Sequence, residues 1–136
     1  MTVDQATREV AKASFARCSG SDAFFEAFYR NFFAVCPEAE PMFARTDFAR
    51  QIKLLRHAIG LMLIFGAQPE AEPTVLSRVA ERHSRRDLAV RAELYEPFVA
   101  SLIETVAQYD PEFTDDVDDA WRRTIAPAVA YMQSKF

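Results

Sequence analysis

Glycine is nearly missing from this chain, with three residues in 136, at Gly20, Gly60 and Gly66. A phosphate or dinucleotide loop needs several glycines within one turn, so the scatter excludes a nucleotide site of that kind. Cysteine is as scarce. Cys18 and Cys36 are separated by a helix of roughly sixteen residues, whose ends lie about 24 Å apart at ~1.5 Å per residue, and a disulfide cannot span that. A reducing, cytoplasmic setting is expected. Long apolar runs are missing too. AIGLMLIFGA (58–67) falls short of the ~20 residues that a bilayer span needs, and the opening MTVDQATREV has no secretory apolar core. Excess positive charge is absent, the net charge being −4, so bulk attraction to nucleic acid or an anionic membrane is not expected.

What the chain has instead is apolar bulk and rings. Half of its residues are hydrophobic, with twelve Phe and four Tyr, which excludes disorder and suits one core in one domain over residues 1–136. No stretch alternates apolar and polar for long, so the class is all-α, with helices joined by proline-marked turns. The pattern predicts helices over about 3–17, from a Ser21 or Asp22 cap to 35, from after Asp47 to 65, over 74–86, 94–109, and from a Thr114 cap to the end. Pro37 and Pro41 bracket a short turn, and GAQPEAEP (66–73) is a loop. Asp115, Asp116, Asp118 and Asp119 favour the positive end of the last helix.

The second helix carries aromatics at 24, 25, 28, 29, 32 and 33, two columns at i, i+4, i+8 spacing. It therefore buries five Phe and Tyr29. Leaving the tyrosine hydroxyl unpartnered there would cost ~1–3 kcal/mol, so it meets either a backbone carbonyl or something in a site. On the third helix Gln51 precedes Leu55 by one turn, placing an amide beside the stripe Ile52, Leu55, Ile59 and Met62. His57, about 200° around the helix from Leu55, faces away.

The segment VAERHSRRD (79–87) sets one histidine among arginines. Val75, Val79 and His83 share a face, while Arg78, Arg82, Arg85 and Arg86 spread to the flanks. Three readings stay open on spacing alone: a solvated basic face, a satisfied core histidine, or a metal ligand at a pocket edge.

These motifs together resemble the bacterial haemoglobins, both single-domain forms and the globin half of flavohaemoglobins. EAFYRNFFAVCPEAEPMF is similar to their second helix and turn, with Tyr29 on the distal tyrosine, Pro37 on the turn proline and Phe43 on the phenylalanine stacked against haem. RQIKLLRHAIG resembles the distal helix, placing Gln51 on the distal glutamine and Leu55 one turn on. VAERHSRRD resembles the proximal helix, placing His83 on the iron ligand. ELYEPFVASL places Tyr95 on a proximal-side tyrosine, and DAWRRTIAPAVAYM resembles the last helix. The likeness covers nearly the whole chain. It departs in two places: no glutamate follows Trp121, and the connection after Phe43 is short.

The resemblance implies a globin fold around haem b (iron protoporphyrin IX), with His83 as the metal ligand. Tyr29 and Gln51 stabilise the bound gas, and Phe28, Phe43, Ile52, Leu55, Val79 and Phe98 wall the porphyrin. Arg45, Arg82 or Arg86 pairs with the propionates. The expected function is reversible binding of O2, with NO and CO as further ligands, and support for NO dioxygenation through an external reductase. The alternatives are a gas sensor signalling to a partner and a haem-free globin-like interaction module.

Overall fold

The computed structural model describes residues 4–65 and 94–134. Among these the chain forms α1 (Gln5–Cys18), α2 (Asp22–Val35), a 3-10 helix (Pro37–Phe43), α3 (Phe48–Phe65), α4 (Tyr95–Tyr109) and α5 (Asp115–Ser134), and no strand. The helix expected over 74–86 lies outside the described residues, and with it Val79, Arg82, His83 and Arg86.

Four of the five α-helices begin where a side chain satisfies a first-turn amide, and α4, with Leu94 at its N-cap, has no such bond. Asp4 accepts from Thr7 N at 2.9 Å, which starts α1 two residues later than the apolar pattern indicated. Ser21 accepts from Ala23 N at 3.1 Å, and Asp47 accepts from Ala49 N at 3.1 Å. Thr114 accepts from Val117 N at 3.3 Å. Pro97 falls in the first turn of α4, where no intrahelical donor is needed. Pro127 sits inside α5, so the carbonyl one turn before it lacks its usual donor.

The packing is α2 against α4, α1 against α5 and α3 against α5. The centre is aromatic and aliphatic: Trp121, Phe24, Phe25, Phe28, Ile59, Leu102 and Ile125 are fully buried. Most ring pairs there meet edge to face, among them Phe24 and Phe25 at 5.0 Å and Phe15 and Trp121 at 5.9 Å. This geometry sets ring edges against ring faces. Two polar ties fix the helices around the rings. Asn31 on α2 donates to Thr105 Oγ1 on α4 at 2.9 Å. Arg56 on α3 donates to Asp22 at 2.8 Å and lies 4.7 Å over the Phe25 ring.

One corner is held by charge. Asp110, which ends α4, is buried and accepts from Arg17 Nε at 2.6 Å, Arg17 Nη2 at 2.9 Å, Ser14 Oγ at 2.6 Å and Glu112 N at 2.9 Å. Trp121 Nε1 donates to the same Ser14 oxygen at 2.9 Å. These donors, the Arg17 guanidinium first, hold the Asp110 carboxyl down at about 2. The thiol of Cys18 nearby is pushed up to about 12, by burial and then by the Asp110 charge, so it stays protonated and unreactive. Cys18 and Cys36 are both buried and not joined in a disulfide. Among the described residues no helix is long and apolar enough to cross a membrane.

Candidate functional site

The aromatic columns of α2 point Tyr29 toward the start of α3. Its ring is ringed by four phenylalanines: Phe28 at 5.2 Å, Phe33 at 5.8 Å, Phe43 at 5.5 Å and Phe48 at 5.4 Å between centroids. Phe43 comes from the end of the 3-10 helix and Phe48 from the first turn of α3, so three elements converge on one tyrosine. Burial pushes the Tyr29 hydroxyl up to about 12, against the opposing effect of its hydrogen bond with Gln51. It is therefore a neutral phenol across the physiological range.

Gln51 lies on the first turn of α3 and donates through Nε2 to the Tyr29 oxygen at 3.0 Å. The direction of that bond matters. A phenol whose oxygen accepts from an amide keeps its own proton to give elsewhere. The bond spans 22 residues of sequence and forms because the Asp47 cap fixes the start of α3 while Phe48 packs that turn onto Tyr29. The short connection after Phe43 thus brings the amide to the phenol.

Around this pair the structure gathers several residues singled out from the sequence. Phe28, Ile52 and Leu55 are buried, and Phe43 and Phe98 are partly buried against the same core. Phe98 on α4 meets Phe28 edge to face at 5.2 Å. Tyr95 is buried at the head of α4, where burial alone pushes its hydroxyl up to about 12. Arg45 is exposed beyond the 3-10 helix, and His57 is exposed on the outer side of α3, as its angular position required. The remaining candidates, Val79, Arg82, His83 and Arg86, are outside the described residues.

Phe33, counted from the sequence among the five buried phenylalanines, is only partly buried, and one neighbour of Tyr29, Phe48, was not singled out at all. Phe48 precedes Gln51 by three residues and Ile52 by four, a spacing that places all three on one side of α3. That spacing was a usable signal. What concealed it was the position of Phe48 directly after the cap, where an apolar residue reads as a helix start rather than as part of a stripe.

A family model for globins matches residues 26–132. The chain is also similar to the Pseudomonas aeruginosa PAO1 protein PA3967, whose crystal structure is described as structurally highly homologous to a human haemoglobin. The identity is 31%, the TM-score 0.88, and the match covers 96% of this chain and 98% of that one. No curated protein matches. With the family model spanning most of the chain and a haemoglobin-like structure superposing on nearly all of it, this chain belongs to the globin family and has the all-α globin fold.

Proposed function

We propose that this globin holds haem b and reversibly binds O2, with NO and CO as alternative ligands. The observation that carries the reading is the Gln51-to-Tyr29 hydrogen bond at 3.0 Å, a neutral polar pair set among buried Phe28, Ile52 and Leu55. The donor set fits the group. A flat apolar macrocycle calls for rings and branched aliphatics, and a polarised diatomic ligand calls for a neutral donor rather than a fixed charge.

His83 would hold the iron through one imidazole nitrogen, leaving the other ring N–H to a nearby acceptor. When bound, the haem supplies an iron centre to which a diatomic gas can attach. The chain's own contribution is to orient and to exclude water. Tyr29 would donate a hydrogen bond to the gas, Gln51 would fix the phenol's rotation, and Phe28, Phe43, Ile52, Leu55, Val79 and Phe98 would wall the macrocycle. Tyr95 would stand on the histidine side, and Arg45, Arg82 or Arg86 would meet the propionates. Support for NO dioxygenation belongs to the same reading, with electrons from an external reductase.

The test is an absorbance spectrum of the purified protein. A Soret band that shifts on reduction, and again on adding CO, supports the reading. Replacing His83 with Ala should then sharply lower haem retention, while His57→Ala leaves the spectrum alone. A chain with no Soret band after haem addition would instead be a globin-like interaction module.

A further inference from the structure

A cleft of about 450 Å³ opens between α2 and the first turn of α3. Its buried lining residues are Tyr29 and Ile52, which form its floor. Its walls are the rings of Phe33 and Phe48 and the small side chain of Ala49, and the exposed charged residues Asp22, Glu26 and Arg30 complete the lining. We propose that this cleft is the route by which a diatomic gas reaches the Tyr29–Gln51 pair, and that the Phe48 ring is its gate. The proposal rests on the haem-and-gas reading above.

Three observations support it. The floor belongs to the site, since Tyr29 carries the hydroxyl and Ile52 follows Gln51 directly, so a gas that passes the floor has arrived. The inner lining of Phe33, Phe48, Ala49 and Ile52 is apolar, as an uncharged diatomic requires, and the charges of Asp22, Glu26 and Arg30 are on exposed residues. The gate is loosely held. Phe48 is 38% exposed, and its ring contacts are Tyr29 at 5.4 Å and Phe43 at 6.2 Å. Ring pairs of this kind hold a side chain by a factor of roughly two to ten in population.

The backbone beneath Phe48 is pinned independently. Asp47 accepts from the amides of Ala49 and Arg50, and Gln51 N donates to Asp47 O at 2.9 Å. The ring can therefore swing toward solvent without moving the turn that holds Gln51. Entry past Gln51 itself would break its bond to Tyr29. Beside the cleft, the Arg56–Asp22 pair at 2.8 Å links α3 to α2.

A gate has a kinetic signature that a contact lacks. It changes the barrier to entry and exit together, so both rates move by a common factor and the dissociation constant stays put. Contact mutations act mainly on dissociation. Filling the cleft by Ala49→Trp should slow CO association after flash photolysis and CO dissociation alike, by roughly tenfold for a barrier raised by ~1.4 kcal/mol. Phe48→Ala should speed both by a common factor. Unchanged rates in both variants, or a change confined to dissociation, would overturn the route and leave the haem reading standing. A readout without haem uses dissolved O2 under pressure, which broadens the NMR signals of atoms it visits. The Ile52 methyls should broaden in the parent chain and be protected in Ala49→Trp; equal broadening in the two would overturn the route. A chain that shows this protection but no Soret band would keep the route and lose the haem reading.

Discussion

Two polar clusters lie in this fold, and they are satisfied to different degrees. At the corner between α1, α4 and α5, the Asp110 carboxylate accepts four hydrogen bonds, and Ser14 both donates to it and accepts from Trp121. Near the start of α3, Tyr29 accepts one bond from Gln51, and among the described residues its hydroxyl proton meets no acceptor. A fully engaged buried network rigidifies a frame. A buried donor with capacity to spare is a place for a ligand. The contrast separates what holds this globin together from what lets it act.

The largest test of that division is Asp110→Ala. Removing one partner of a buried ion pair costs ~3–5 kcal/mol, because Arg17, Ser14 and the Glu112 amide lose their acceptor together. Urea denaturation should show that loss, while the O2 dissociation rate of the surviving folded protein should not change. A large change in O2 release would mean that the two clusters are coupled.

Acid probes the same corner more gently. Asp110 is lowered from an ordinary 3.8 to about 2 in the folded chain, so its contribution is fully present above 3.8 and is lost as pH falls toward 2. A shift of that size corresponds to about 2 kcal/mol. Denaturation midpoints between pH 5 and pH 2 should fall accordingly, and the dependence should flatten in Asp110→Ala.

The opposite behaviour is expected from Tyr29→Phe. A neutral donor to the bound gas contributes ~1–1.5 kcal/mol, or about tenfold. Stopped flow should show O2 leaving up to about tenfold faster, with haem content unchanged. An unchanged dissociation rate would show that the proton is given elsewhere.

The smallest effect lies in neither cluster. Gly60 is in the middle of α3, and a methyl group there would meet nothing within 4 Å. Gly60→Ala should therefore raise stability by up to ~1 kcal/mol through helix propensity, with O2 release unaffected. Loss of stability on thermal melting would mean that α3 needs its freedom at that point.

The sequence disclosed the two regions unequally, for physical reasons. The α2 columns were legible because helical spacing alone decides which of Phe24, Phe25, Phe28, Tyr29, Phe32 and Phe33 share a side, and Ser21 and Asp47 announce helix starts through local bonds. The relation of Gln51 to Leu55 was legible for the same reason. The meeting of Gln51 with Tyr29 came from resemblance, since nothing local fixes a bond across 22 residues. The corner was not legible at all. In the sequence Asp110-Pro111 reads as a helix stop, and its partner Ser14 lies 96 residues away. Spacing rules reach a few turns; a buried carboxylate is explained by whichever distant helix the fold brings to it.

Trp121 is the chain's single tryptophan, wholly buried, with its indole N–H on Ser14. Intrinsic fluorescence of this protein is therefore a report from one address. In the haem-free chain, emission will follow the wetting of the α1–α4–α5 corner. Absorbance of a bound haem would look from the other side. Emission from the haem-free chain and absorbance from the haem-loaded one, each followed during heating, report on frame and site in turn.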